Sequence, residues 1–490
     1  MTEILHSRFG LALVIGTMFS GPVAAASAPA TPGVVNAPCP SGAIAVVPGS
    51  SIQAAVDQAG ANAAFCLKNG VHRMQVVRPL DGQSFYGEGG TILNGSRLLT
   101  AFTREGSLWV ANGQTQHGLK HGECLKTAPA CDLPEAVFFD DKPLAQVPSK
   151  DGVKPGSFYF DYAGDRIYLG DDATGHKVEA TVGAFAFESL ASNVLIKNLI
   201  IEKYANPAQK GAIYSLGTTG WSVENSELRL NSGAGIVIGN GAKVLSSNLH
   251  HNGQTGIAGE GNNVLIENNL ISANNIYGFD YKWEAGGVKL ATSDGVVMRD
   301  NQVTDNVGPG LWCDIGCRNV LYENNIVERN HDAGIFHEIS FNAVIRNNTA
   351  ANNGLDADPD WFWGADILLS ASQGVEVTGN RVTVRPGGCG IMLIDQGRTT
   401  DSGGQYKTRD NKIHHNDLTF ESAPCAGGIS DTAPDNANYS IITDGNNLFD
   451  ANVYRARTSK EERFPWGHQV FNWDGLRAAG LEPNGQLMFY

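Results

Sequence analysis

Basic residues are scarce: 35 Lys and Arg stand against 50 Asp and Glu in 490 residues, a formal net charge of −15. That balance excludes nucleic acid as a partner, because neutralising phosphates needs clustered cations. It also weighs against a polyanionic glycan such as pectate or alginate unless calcium or a local basic patch supplies counter-charge, so a neutral sugar polymer fits more easily. Long apolar runs are missing beyond the N-terminus, which predicts no membrane span. Helical stripes of useful length are missing too, apart from SIQAAVDQAG at 51–60, where Ile52, Ala55, Val56 and Ala59 share a face suited to capping an open sheet edge. Cys313-x-x-x-Cys317 has no second Cys or His pair of matching spacing, so no zinc site and no cofactor is expected. Calcium enters only if the substrate is a polyuronate.

The first residues do carry an apolar run, Phe9 to Phe19, preceded by Arg8 and followed by small residues with Ala24-Ala25-Ala26. That reads as a secretory signal peptide cleaved near Ala26, which places the mature protein in the periplasm or outside the cell. Eight cysteines, all in the mature part, then favour disulfides. The sequence-local pairs are Cys39 with Cys66, Cys124 with Cys131, Cys313 with Cys317, and Cys389 with Cys425, although spacing alone does not fix connectivity.

From 193 to 418 one short phrase recurs: NVLIKN, WSVENSEL, NVLIENNL, VVMRDNQV, NVLYENNI, NAVIRNNT, VEVTGNRV, NKIHHNDL. Aligned on apolar residues, it puts Asn198, Asn225, Ser247, Asn268, Asn301, Asn324, Asn347, Asn380 and Asn416 at one position, at intervals of 27, 22, 21, 33, 23, 23, 33 and 36 residues. A repeat of this length with an apolar strand signals a solenoid, and the stacked amides are expected to bond from turn to turn at a strand spacing of about 4.8 Å. A second strand per coil follows Gly, with Ile236, Ile257, Val288, Leu311, Ile335, Ile367 and Ile391 as an inward column. The fold class read from this pattern is all-β, a right-handed parallel β-helix.

At this point the chain resembles the pectate-lyase-like superfamily of parallel β-helix proteins. The resemblance implies a secreted, carbohydrate-active protein whose partner is a polysaccharide or oligosaccharide. The repeat stops between Leu98 and Ala184, where SFYFDYAGDRIYLGDD and its neighbours read as antiparallel strands with Asp/Gly turns. The expected organisation is a signal peptide (1–26), a cap with first coils (27–97), an inserted β-rich subdomain (98–184), β-helix coils (185–450) and a C-terminal cap (451–490). Two coils are longer by about ten residues, at NNIYGFDYKWE (274–284) and LDADPDWFWGA (355–365). Loops of that length with their own aromatic and acidic character point to function, and they should flank a groove in which Trp283, Trp361 and Trp363 stack on sugar rings.

Strand alternation then assigns the chemistry. One outward column reads Val237, Ala258, Lys289, Trp312, Phe336, Leu368 and the next Gly239, Glu260, Ala291, Asp314, Glu338, Ser370. Asp314 and Glu338 thus stand on adjacent coils, with Glu260 two coils before Asp314. Paired carboxylates suit glycoside hydrolysis, one as proton donor and one as nucleophile or base. About 5 Å between them suits retention of configuration, whereas the wider Glu260 and Asp314 pair suits inversion. Lys289, Glu284 and Asp280 are candidates to complete the site, with Trp312, Phe336 and Tyr277 beside them for substrate. His337 falls inward and reads as a core histidine; His250, His251, His414 and His415 fall at bends.

Tyr277-Gly278-Phe279-Asp280 is similar to the stretch that opens the catalytic motif of mannuronan C5-epimerases, which implies epimerase or lyase chemistry on a uronate polymer. Tyr281 and Lys282 replace the Pro-His that follows in those enzymes, so the proton-transfer histidine is missing, and Lys282 or Lys289 would have to serve as base. A non-catalytic glycan-binding β-helix is the third reading.

Overall fold

The computed structural model describes residues 32–356, 361–400, 404–431 and 440–490. The expected signal peptide therefore lies outside the described residues. Among those described, strands assemble into three long sheets of 13, 13 and 12 strands. Each coil contributes one strand to each sheet, and nearly all neighbours pair in parallel, as in Ile236↔Ile257, Val288↔Leu311 and Leu311↔Ile335. The expected inward column is continuous from Ile236 through Ile391. A single buried core runs the length of the coil stack through these residues.

Between the first two sheets lies the bend that carries the amides. Here the expected column holds at Ser247, Asn301, Asn380 and Asn416 and needs correction by one residue at Asn198, Asn225, Asn268, Asn324 and Asn347. The hydrogen-bonded ladder runs Ser226, Ser247, Asn269, Asn301, Asn325, Asn348, Asn380, Asn416, Asn452. Asn198, Asn225, Asn268, Asn324 and Asn347 sit just before the ladder, or at the same place in their coil, in the left-handed region with φ between 47° and 62°. The reason is chemical: Asn tolerates left-handed backbone and also ladders well, so an Asn-Asn pair fills two adjacent roles. A second ladder, Asn231, Asn252, Asn274, Asn306, Asn330, Asn353, lines another corner. Each ladder ends on a buried acidic side chain, Glu482 for the first and Asp366 for the second, whose oxygen accepts from the last amide.

The helix Ile52–Ala59 forms as its periodicity predicts, with Ser51 accepting from the Ala54 N–H at its start and Ile52 and Val56 buried. Residues 96–181 leave the coil and form a four-stranded and a five-stranded sheet around their own core of Val137, Phe158, Phe160, Ile167 and Leu169. Most of these strands pair antiparallel; Ala145–Gln146 and Ser157–Phe158 pair in parallel. This excursion is tied to the coils by fully buried Glu179, which bonds Arg73 at 2.7 Å and the buried Lys203 ammonium. The coil ladder continues past 450, through Val453–Ala456 to Gln486–Phe489. No helix among the described residues is long and apolar enough to cross a membrane.

Three of the expected disulfides are present: Cys39–Cys66, Cys124–Cys131 and Cys389–Cys425. The fourth is not. Cys313 and Cys317 are free and buried, with the Cys317 thiol donating to the Leu290 and Asp314 carbonyls. Cys313 lies in the inward column between Leu290 and His337, so it packs in the core instead of stapling a surface loop.

Candidate functional site

The 12-stranded sheet presents the outward columns. In Leu311–Asp314, Leu311 and Cys313 face the core while Trp312 and Asp314 face out; Ile335–Glu338 on the next coil repeats the pattern with Phe336 and Glu338. Lys289 pairs with Trp312 in register, and Ala291 with Asp314. Directly after each acid the chain turns through a left-handed β-branched residue, Ile315 (φ 49°) and Ile339 (φ 38°). β-branched side chains resist that conformation, so local strain accompanies the placement of both carboxylates at a strand end.

These outward side chains are not solvated. Asp314, Glu338 and Lys289 retain only 6, 8 and 8% of their surface. The Lys289 ammonium lies 3.1 Å from Asp314 Oδ2 and 3.9 Å from Glu284 Oε2, donates to the Trp283 carbonyl at 3.3 Å, and sits 3.8 Å from the centre of the Trp312 ring. Trp312 stacks on Phe336, and its indole N–H donates to Glu338 Oε2 at 3.1 Å. Arg398 donates to the other Glu338 oxygen at 3.3 Å. Burial, then the charge of Asp314, push the Glu338 carboxyl up to about 7, against the opposing pull of Arg398, Lys289 and the Trp312 bond. The pair is therefore split: one carboxylate salt-bridged, its neighbour holding a proton near neutrality.

A crevice of about 330 Å³ opens over Glu338, walled by Tyr281, Lys282, Trp312, Asp332, Trp363 and Arg398. Both long loops contribute to it, although 357–360 in the second lie outside the described residues. Asp332 in its wall is raised to about 6 by burial, with the Ala333 N–H opposing.

Residues 211–382 match the family model described as right handed beta helix region. Among solved structures, "The complex structure of XylC with xylose" superposes with a TM-score of 0.67 at 15% identity, covering 89% of this chain and 82% of that one. The chain is a right-handed parallel β-helix. More distant superpositions include the Azotobacter vinelandii mannuronan C-5 epimerase AlgE6 A-module (TM-score 0.49, 16% identity, 89% of this chain and 93% of that one). Another is a mannuronic acid specific polysaccharide family 6 lyase from human gut microbiota (TM-score 0.43, 10% identity, 91% of each). No curated protein matches the sequence.

On this β-helix, Lys289, Asp314, Glu338, Glu284, Trp312, Phe336 and Trp363 converge at or beside the crevice. Other candidates fall elsewhere. Asp280 caps the short helix Tyr281–Glu284, accepting from the Lys282 N–H, so its carboxylate is occupied in holding the loop. Tyr277 and Phe279 are drawn under the excursion, packing with Cys124, Ala128 and Cys131, because an apolar loop buries its rings on the nearest apolar surface. Trp283 packs there too, edge-on to His121, and reaches the site only through its carbonyl. Trp361 is 41% exposed and does not line the crevice. Glu260 stands in a neighbouring crevice. His337 is core, as expected, with its ring lowered to about 3 by burial. His251 and His415 sit at left-handed bends, whereas His250 and His414, also expected at bends, end strands and contact Glu227 and Glu376 at 3.0 Å.

Sequence reasoning missed Arg398, Gln396 and Asp332. Arg398 and Gln396 follow the strand Ile391–Asp395, inside the 36-residue interval before Asn416, where strand alternation has ended. The length of that interval was the available signal. Asp332 precedes its strand at a bend, and no periodicity marks it. Among the described residues no cluster of three or more His, Cys, Asp or Glu side chains is arranged to hold a metal.

Proposed function

We propose that the protein is a glycoside hydrolase acting with retention, with Glu338 as acid/base and Asp314 as nucleophile. One observation carries this: two outward carboxylates at one register position on neighbouring coils, of which Glu338 is held protonated to about 7 while Asp314 is ion-paired with Lys289. Neighbouring strands are about 4.8 Å apart, so side chains of this length on adjacent coils can bring their carboxyls to the 5–5.5 Å at which one attacks the anomeric carbon directly. Glu338 protonates the leaving oxygen. Asp314 forms the glycosyl ester, and Glu338, now ionised, activates the water that releases the sugar.

Lys289 positions Asp314, since its ammonium is spent on two carboxylates, a carbonyl and an indole face. That engagement disfavours the alternative in which it abstracts the proton next to a uronate carboxyl. The net charge of −15 also favours a neutral sugar over a uronate. The XylC structure was solved with xylose, which agrees with a neutral sugar without identifying one here.

Product analysis on a glycan panel tests the proposal. New reducing ends whose configuration at the anomeric carbon is unchanged, seen by proton NMR at early times, are expected. An ultraviolet-absorbing unsaturated end would mean elimination, and an inverted anomer would reassign Asp314.

A further inference from the structure

A second crevice of about 340 Å³ lies on the N-terminal side of Lys289. Its floor is built of small outward residues, Val237 and Ala258 with Ala291, on coils that stack in register. Its walls are polar. His121, from the excursion between the first coils, contacts Gln209 Oε1 at 2.9 Å, and the Gln209 amide donates to Glu284 Oε2 at 2.7 Å. Exposed Glu260 forms the opposite wall. Lys210, also at its edge, is turned onto the Tyr214 hydroxyl at 2.6 Å. The two crevices meet at Lys289, whose ammonium lies on the Trp312 ring that lines the first.

We infer that this second crevice binds the next sugar on the non-reducing side of the cleaved unit, so that the protein works on chains and not on a single terminal residue. The inference rests on the hydrolytic reading above. A leaving group departs beside the proton donor. Glu338 stands one coil to the C-terminal side of Asp314, so the leaving group lies over the first crevice and the rest of the chain runs over the second. A small apolar floor under hydrogen-bonding walls matches the apolar face and equatorial hydroxyls of a neutral sugar ring.

The test compares p-nitrophenyl monoglycosides of xylose, glucose, galactose and mannose with the matching diglycosides, in which the leaving group is constant and only the non-reducing side grows. The second sugar is expected to raise kcat/KM at least tenfold. Glu260→Trp, which fills the crevice from an exposed position, and Gln209→Ala, which breaks its other wall, are each expected to abolish that gain. A native protein indifferent to the second sugar, or a gain that survives both substitutions, overturns the inference. Should no nitrophenol be released from any substrate, the hydrolytic reading fails. Calorimetric titration with the same compounds then decides the crevice: tighter binding of the diglycoside, lost in Glu260→Trp, sustains a sugar site there, and equal or absent binding overturns it.

Discussion

The indole N–H of Trp312 donates to Glu338 Oε2 at 3.1 Å, across two adjacent coils. That bond favours the ionised form of Glu338 and so moderates a shift that burial drives upward. Trp312→Phe keeps an aromatic ring under Lys289 and beside Phe336 but removes the donor. A hydrogen bond of this kind is worth about 0.5–1.5 kcal/mol, which corresponds to roughly half a pH unit to one unit. The alkaline limb of the kcat/KM profile is expected to move up by that amount. A limb that stays in place would show that the bond does not act on Glu338.

The native profile itself is a prediction. Glu338 is active as an acid only while protonated, and its carboxyl is raised to about 7. Activity is therefore present below neutrality and lost as pH rises through about 7. Arg398→Ala removes a cation that opposes the shift, so its limb should lie higher still. Glu338→Gln should lower kcat/KM by about 10²–10⁴ and lose the alkaline limb.

Replacing Asp314 separates its two roles. Asp314→Ala removes the attacking carboxylate and should lower kcat/KM by at least about 10³. It also removes the charge that helps raise Glu338, so residual activity should titrate at lower pH. Azide fits the vacated space and can attack the anomeric carbon while Glu338 protonates the departing oxygen. Rescue by azide, with a glycosyl azide of inverted configuration, is the expected outcome; rescue absent under conditions where the variant remains folded would count against a nucleophile at this position.

Strand alternation made the candidate face legible because it repeats: a two-residue period carried through coil after coil fixes which side chains face out, and the outward placement of Lys289, Trp312, Asp314, Phe336 and Glu338 followed from it. It failed where the period stops. Arg398 lies beyond the end of its strand, and Tyr277 and Trp283 belong to a loop whose packing partner, the excursion at 96–181, is distant in sequence. The cysteines teach the same lesson. Cys313 already stood in the inward column, so alternation should have outweighed the short spacing that suggested a staple with Cys317.

The expected amide column matches the ladder at Ser247, Asn301, Asn380 and Asn416 but falls one residue early where two Asn stand together, a difference testable at Asn324 and Asn325. Asn325 accepts from both the backbone and side-chain amides of Asn301 and donates to Met298 and Asn348. Asn325→Ala leaves several buried groups unpaired and should cost about 2–4 kcal/mol. Asn324 holds a left-handed φ of 55°, which glycine adopts freely, so Asn324→Gly should change stability by about 0.5 kcal/mol or less. Denaturant titration of the two variants checks the order; equal losses would mean that the ladder is not the stabilising element.

The ladder's end makes a prediction with a definite sign. Asp366 accepts from the Asn353 backbone and side-chain N–H groups at 3.0 and 2.8 Å, and burial raises its carboxyl from 3.8 to about 7. A folded-state value above the unfolded one means that the folded protein binds the proton more tightly. The associated stability is complete below pH 4 and is lost as pH rises through about 7. Asp366→Asn keeps an acceptor for Asn353 and has no charge to bury. Its Tm should match the native protein at pH 4 and exceed it by several degrees at pH 8, so that the difference between the two curves opens across that interval. Parallel curves would show that Asp366 stays ionised in the fold, and that the Asn353 donors suffice to hold its charge.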